Sequence, residues 1–391
     1  MSTFLKNNYI GSILLDFPVQ PRFCDEASAD DLSETIAKIL ETKFGPFLKL
    51  FSGSVQPAKP TLGWITLLSG EKGVTAVIRT FPTRSVVTVT VDYDLKIYEG
   101  TPPVTFNDIS DLEAELAKAF QSFKKTSPIP QIKRALDFDT YFTTSDSRLL
   151  EYDVQEMVFD ARSEFQHVQI ARSINYGNVL ILDGLVNLAE ADLAYTEAIM
   201  KRGEVDYTGK DVLILGGGDG ALLYELRKEN AKSITMIEID EMVMSACKVH
   251  LRLACGDTLD NYKHENYEII VGDCIPFMVK CKEEGKLFDH VFGDLTDIPI
   301  STNPIGEIWN FFRTTLQLSF SILKEGGTYF THANGVTAEE NLKMFESTIK
   351  DTLMGFPVEL TQSTAFVPSF KEKWVFYEVK RAIAGNNGPQ E

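Results

Sequence analysis

Residues 211–228 read DVLILGGGDGALLYELRK. An apolar run at 212–215 leads straight into three glycines, an aspartate and a fourth glycine, and then into a segment with helical spacing. A strand without polar alternation is one buried on both faces, as in a parallel sheet with helices above and below. Glycines at its end permit a tight turn and let main-chain N–H groups approach a ligand where the next helix begins. Gly216, Gly218 and Ala221 even satisfy the relaxed dinucleotide pattern, and Glu238, closing the next run SITMIEID, suits a ribose. A glycine loop alone also serves as a plain turn; the strand–loop–helix–strand–acid order favours a ligand.

Outward from this loop, YEIIVGD, FDHVFGDL and GTYFTHA repeat the pattern of apolar strands separated by helix-like stretches. The expected fold is therefore α/β, with a Rossmann-like (methyltransferase-like) parallel sheet over 190–382. VELTQSTAFVPSFKEKWVFYEV would add an antiparallel hairpin at one edge. Upstream, LLEYDVQEMVFDA, HVQIARSI and NVLILDG read as a short β-meander. With TSPIPQIK at 126–133, a proline-containing linker, they make up a segment over 126–189. Residues 1–125 read as an α+β domain. GSILLDF is a strand, the segment from Ser33 to Phe44 an amphipathic helix, and TLGWITLL, GVTAVIRTF and SVVTVTVDY are three strands. SDLEAELAKAFQSFK is then a second helix with Ser110 as its expected N-cap. The tail 383–391 is expected to be disordered.

In open parallel sheets, ligands sit at the carboxyl ends of the strands. There the sequence crowds acids: Asp219 in the glycine loop, Glu238 and Asp240 after the second strand, Asp273 after the third, Asp294 and Asp297 after the fourth. Six carboxylates on one rim repel one another unless a cation lies between them. A dinucleotide would present pyrophosphate to Asp219 and be repelled. A nucleoside carrying positive charge and no phosphate, such as a sulfonium nucleoside, suits the acid, and a polyamine suits the rim better than a metal ion. Asp273 is placed to accept from an adenine amine.

The wider composition agrees. Among 391 residues, Asp and Glu number 56 against 38 Lys and Arg, a net charge of −18, which opposes binding to nucleic acid. The five cysteines form no CxxC pair, the five histidines are scattered, and no apolar run approaches the roughly 20 residues of a membrane span. The first residues lack the pattern of a secretory signal. The expectations are a cytoplasmic protein in a reducing compartment, with no membrane and no metal.

The segments FQHVQI, YGNVLILDG, LAEADLAYT, VLILGGGDG, EID, GDC and GDL, in that order, resemble the polyamine aminopropyltransferases over about 135–380. Within that family, LAEADLAYTEAIM and DYTGKDVLILGGGDG are similar to the animal spermine synthases. The resemblance extends to the N-terminal 125 residues, which implies a domain similar to S-adenosylmethionine decarboxylase and a homodimer formed through it. It implies transfer of the aminopropyl group of decarboxylated S-adenosylmethionine, a co-substrate rather than a cofactor, to spermidine, giving spermine and methylthioadenosine. Asp294 matches the proton acceptor, Asp219 the loop acid that holds the amines, and Tyr195 an acceptor-binding tyrosine beside the base. Gln166 and Glu238 match contacts to the nucleoside donor, and Asp273 with Cys274 the adenine-binding pair. Gly216, Gly218 and Asp240 are expected to join the donor contacts. Glu372, in VPSFKEKW, matches an acid that binds the far amine of spermidine. Two departures concern the acceptor: Phe370 stands where spermine synthases carry a tyrosine, and Asp297 creates the Asp-x-x-Asp of spermidine synthases, whose second acid binds an amine. The alternatives are therefore a spermidine synthase acting on putrescine, a methyltransferase on the same fold, and a non-catalytic polyamine-binding homologue.

Overall fold

The computed structural model describes residues 8–24, 26–56, 59, 62–122, 127–136, 138–296 and 305–383, without the side chains of 26 and 27. The chain forms two compact units, Met1–Phe138 and Asp139–Glu391.

The first unit contains β1 (Ile10–Pro18), α1 (Glu26–Phe44), β2 (Phe47–Ser54), β3 (Trp64–Gly70), β4 (Thr75–Phe81), β5 (Val86–Asp94), α2 (Phe106–Ala119) and β6 (Ile132–Arg134). The strands form one antiparallel sheet in the order β2-β3-β4-β5-β1-β6. Successive side chains of a strand point to opposite faces, so Val87, Val89, Val91 and Tyr93 of β5 are all buried while Thr88 and Thr90 face the other way. Leu32, Ile36 and Leu40 of α1 and Ile109, Leu112 and Leu116 of α2 cover that apolar face.

Two local expectations are corrected, and one strand, β2, was not anticipated. Helix α2 starts a turn earlier than Ser110. Its N-cap is Thr105, whose hydroxyl accepts from Asp108 N at 3.2 Å while Asp108 Oδ2 accepts from Thr105 N at 2.8 Å. This capping box satisfies two otherwise orphaned N–H groups, and Ser110, already inside the helix, donates back to Phe106 O. The strand β2 carries no clean alternation, because its register slips between Lys49 and Phe51 and it lies at the sheet edge with Leu48, Leu50 and Phe51 exposed. Residues 132–134, at the end of the expected linker, pair with β1 as the short edge strand β6.

The second unit begins with a small hairpin, β7 (Tyr141–Thr143) and β8 (Leu149–Glu151), and a four-stranded antiparallel meander: β9 (Val154–Arg162), β10 (His167–Ser173), β11 (Gly177–Leu182) and β12 (Leu185–Ala189). There follow α3 (Leu193–Ile199), β13 (Asp211–Gly216), α4 (Ala221–Leu226), β14 (Ser233–Glu238), α5 (Glu241–His250), α6 (Arg252–Cys255), β15 (Tyr267–Val271) and α7 (Cys274–Glu284). The chain continues through β16 (Phe288–Asp294), α8 (Glu307–Ser321), β17 (Leu323–Gly335), α9 (Glu339–Thr352), β18 (Val358–Val367) and β19 (Glu372–Arg381).

The large sheet runs β15-β14-β13-β16-β17-β19-β18. Its first five strands are parallel, and β19 is antiparallel to both neighbours, the hairpin expected at the edge. The uninterrupted apolar run of β13 now has its reason. Val212 and Ile214 enter one core, shared with the meander and α4–α6, while Leu213 and Leu215 enter another beneath α7, α8 and α9. The chain order reverses between β13 and β16, and the crevice at their carboxyl ends is where the fold leaves room for a ligand.

Candidate active site

The glycine loop and the end of β16 are laid against each other. Gly216 pairs with Asp294 across the two parallel strands, and Gly217 N donates to Asp294 O at 3.0 Å. A Cβ on Gly216 would lie 2.2 Å from that carbonyl oxygen, and its φ of +81° is one that side chains disfavour. A Cβ on Gly218 would meet Glu238 Oε2 at 2.7 Å. These two glycines therefore let the loop settle directly onto two carboxylate-bearing strand ends. Helix α4 beyond the loop has only six residues, and its first N–H is already taken by Asp219 Oδ1 at 2.8 Å. The loop is thus organised around its own carboxylate rather than around a bound anion.

Tyr195 reaches the same point from α3. Its hydroxyl donates to Asp294 Oδ1 at 3.2 Å, and its ring is boxed by Phe376, His332 and Phe370 at centroid distances of 5.3, 5.6 and 6.1 Å. Burial pushes the Asp294 carboxyl well above the ordinary carboxylate range, the neighbouring Asp219 charge adds to the rise, and the Tyr195 hydroxyl opposes it. Asp219 is raised by burial too, against the lowering effect of the Ala221 N–H. Glu238 is pushed up to about 7 by burial, helped by the charges of Asp240 and Asp219. His332, whose Nε2 lies 3.2 Å from Leu295 O, is lowered by burial to about 4 and is therefore neutral at pH 7. Low solvation and like charge thus raise the proton affinity of these carboxyls, and a cation brought among them would lower it.

Between these groups lies a cavity of about 500 Å³. Six carboxylates line it (Glu164, Asp183, Asp219, Glu238, Asp273 and Asp294), and no lysine or arginine does among the described residues. Gln166, Tyr195, Gly216, Gly218 and Cys274 line it as well, so nine of the residues singled out from sequence are brought together. Asp273 is also the N-cap of α7, with Oδ1 accepting from Ile275 N. The burial of Cys274 lifts its thiol to about 12, so it is a neutral wall group.

Other expected residues stand elsewhere. Asp240 is buried behind the wall: Oδ1 caps α5 through Met242 N at 3.0 Å, and Oδ2 accepts from Ser163 Oγ and Gln166 Nε2. Its reason is capping, which turns the side chain back along the chain instead of into the crevice. Phe370 sits behind Tyr195, and Glu372 is bound by Ser145, whose N and Oγ donate to it at 3.1 and 2.6 Å; neither lines the cavity. Asp297 lies outside the described residues. Conversely, sequence reading passed over Phe165, Asp183 and Asn187 of the meander and Phe311 of α8, which complete the wall. The signal for the first was its place beside Gln166, in a turn whose neighbour was already recognised. Of His332 and Asn334, near the carboxyl end of β17, only His332 lines the cavity. Among the described residues no group of three histidines, cysteines or acids is arranged to hold a metal ion, and no helix is long and apolar enough to cross a membrane.

Comparison with known proteins agrees with this geometry. Residues 192–386 match the spermine/spermidine synthase domain, and residues 139–190 match the spermidine synthase tetramerisation domain. The chain is 28% identical to a polyamine aminopropyltransferase of Aeropyrum pernix over 236 residues, which is 60% of this chain and 71% of that protein. It is 32% identical to a spermine synthase of Saccharomyces cerevisiae over 202 residues, 50% of this chain and 62% of that one. It is 28% identical to spermidine synthase 2 of Arabidopsis thaliana over 242 residues, 61% of this chain and 66% of that one. Among solved structures, spermidine synthase from Thermotoga maritima shares the fold with a TM-score of 0.51 at 19% identity, over 62% of this chain and 79% of that one. The acid-lined crevice at the switch point and two adjoining domain matches lead to one conclusion: this chain belongs to the spermine/spermidine synthase family of aminopropyltransferases.

Proposed function

We propose that this protein is a spermine synthase, which transfers the aminopropyl group of decarboxylated S-adenosylmethionine to spermidine and releases spermine and methylthioadenosine. The observation that carries this reading is the cavity wall itself: six carboxylates, no lysine or arginine among the described lining residues, a histidine held neutral, and a tyrosine hydrogen-bonded to one of the acids. Such a wall rejects phosphates. It also disfavours S-adenosylmethionine, whose α-carboxylate would be brought among like charges, and favours the decarboxylated donor, whose tail ends in an ammonium.

The chemistry follows from the acceptor. An alkylammonium has a pKa near about 10.4, so at pH 7 the attacking nitrogen carries a proton that blocks its lone pair. Entry of cations offsets the repulsion between Asp219, Glu238 and Asp294 and returns them to the carboxylate form. Asp294 then accepts the proton from nitrogen as general base. The freed lone pair forms a C–N bond to the methylene next to sulfur; the C–S bond breaks, and its electron pair neutralises the sulfonium as a thioether. Sulfonium needs no acid to leave. Tyr195, donating to Oδ1 of Asp294, leaves Oδ2 for the amine, and Asp219 holds a neighbouring amine. Holding nitrogen, carbon and sulfur in line supplies up to roughly 7–11 kcal/mol in well-oriented systems. The reaction requires no cofactor.

On the donor side, Glu238 takes the ribose hydroxyls, and Gln166, Gly216 and Gly218 complete the contact. Asp273 with Cys274 receives the adenine. On the acceptor side, we assign the far amine of spermidine to Glu372, where an ammonium would replace the hydrogen bonds now made by Ser145. Phe370 and Asp297 are counted with the acceptor contacts. Spermine over spermidine as product is supported by the LAEADLAYTEAIM segment and by the separate unit that precedes residue 139. A homodimer formed through residues 1–125 and a cytoplasmic location complete the proposal. The deciding experiment offers putrescine and spermidine with the same donor. A higher kcat/KM for spermidine is expected; a preference for putrescine would make the protein a spermidine synthase, and no transfer to either would leave it a binding homologue.

A further inference from the structure

We infer that Asp240 is a positioning residue, which holds the Gln166 side chain with its carbonyl oxygen free for the nucleoside donor. The inference rests on the proposed donor site and names the group that sets its polarity.

Gln166 lies in the turn joining β9 to β10, and that turn is closed on itself. Ser163 Oγ accepts from Phe165 N at 3.1 Å and Gln166 N at 3.0 Å, and Ser163 N donates to Gln166 O at 2.9 Å. One external point fixes it to the sheet. Ser163 Oγ and Gln166 Nε2 both donate to Asp240 Oδ2, at 2.7 and 3.0 Å. The other oxygen of Asp240 is spent on the N-cap of α5. A carboxylate only accepts, whereas an amide has one donating and one accepting end. With Nε2 committed to Asp240, Oε1 of Gln166 is the end left over; it has no partner among the described residues, and Gln166 lines the cavity. Asp240 also supports the facing contact, because its main-chain N donates to Glu238 Oε1 at 2.8 Å. The cavity wall therefore carries two side chains with acceptor oxygens, Gln166 and Glu238, which suits hydroxyl or ammonium groups of the donor and repels an acceptor-only anion.

An asparagine at 240 has a single side-chain acceptor. Used to cap α5, it presents its amide N–H to Gln166, which then turns its carbonyl inward and its NH₂ to the cavity. Asparagine caps helices as well as aspartate does, so the cap of α5 would be preserved, while the Ser163 hydroxyl loses the oxygen it donates to and Gln166→Ala, which leaves that bond in place, isolates the amide's own share. Asp240→Asn is expected to weaken methylthioadenosine binding and raise the donor KM by about 10- to 100-fold, as for a reversed buried hydrogen bond. The change should fall on KM more than on kcat. Gln166→Glu alone sets two carboxylates together and should be equally impaired. The double variant Asp240→Asn/Gln166→Glu restores a donor–acceptor match and a cavity-facing oxygen, and should return the affinity to within about threefold of wild type. Methylthioadenosine is titrated into all five proteins by calorimetry, with spermidine KM measured in parallel. Unchanged binding by Asp240→Asn, or a double variant no better than the singles, overturns the inference. Wild-type protein that binds methylthioadenosine without aminopropyl transfer counts against the proposed reaction and not against Asp240. Wild-type protein that does not bind it overturns both.

Discussion

Asp192 grips Ser369 twice: Oδ1 accepts from Ser369 N at 2.9 Å and Oδ2 from the Ser369 hydroxyl, while Oδ2 also accepts from Ala189 N. This buried carboxylate ties the start of α3, three residues before Tyr195, to the turn between β18 and β19. Removing it as Asp192→Ala strands buried donors, each worth about 1–3 kcal/mol. The thermal midpoint should fall by several degrees and turnover with it; a midpoint within a degree of wild type would show the tie to be dispensable.

Asp294→Asn keeps the shape of the side chain and the hydrogen bond from Tyr195 but cannot take a proton. Turnover should drop by about 10²–10⁴-fold, the range for a lost general base, with methylthioadenosine affinity nearly unchanged. Single-turnover transfer measured beside calorimetry separates the two effects. Turnover near wild type would remove Asp294 from the chemistry.

At Gly216, alanine would drive a methyl group to 2.2 Å from Asp294 O at a φ of +81°. The loop and the end of β16 must part. We expect Gly216→Ala to lose both stability and aminopropyl transfer, while Gly285→Ala, with open space around it, costs only backbone strain. Equal activity in the two variants would mean that the close approach of loop and strand is not required.

Glu238 links the site to pH. Its pKa is raised to about 7 in the folded chain, so the folded state holds a proton that the unfolded state has released, and stability falls as pH rises from about 4 to about 7. Glu238→Gln escapes that cost. Its thermal midpoint relative to wild type should climb between pH 5 and 8, by at most about 3 kcal/mol in free energy, although its donor affinity is lost. A difference flat in pH would show that Glu238 ionises freely.

Cationic ligands should act in the opposite sense. Asp219, Asp294 and Glu238 hold protons more tightly than ordinary carboxyls do, and a bound polycation lowers those pKa values. Binding then expels protons to the buffer and tightens as pH rises through neutrality. Spermidine titrations in two buffers of different ionisation enthalpy should give different apparent heats at pH 7; identical heats would mean that the carboxylates were already charged.

The order of elements across residues 139–383 was legible because it depends on local physics. Val212 to Leu215 must be covered on two sides, Gly216 and Gly218 must turn, and a polar residue at the end of a buried strand must surface at its rim. Helix α2 was legible in its apolar face and wrong in its start, since Ser110 and Thr105 are equal as caps until the partner at Asp108 is counted.

What sequence by itself determined is thus the periodicity of burial and the rim to which the acids belong. Only the tertiary structure decided which acids face the cavity. Asp240 and Asp273 both cap helices after neighbouring parallel strands, yet Asp273 lines the cavity and Asp240 is captured by Ser163 and Gln166, more than seventy residues away in the chain. Glu372 is likewise held by Ser145, 227 residues distant. Backbone propensity acts over a few residues, but the direction of a carboxylate is set by whichever donors and charges the folded chain brings within about 3 Å of it.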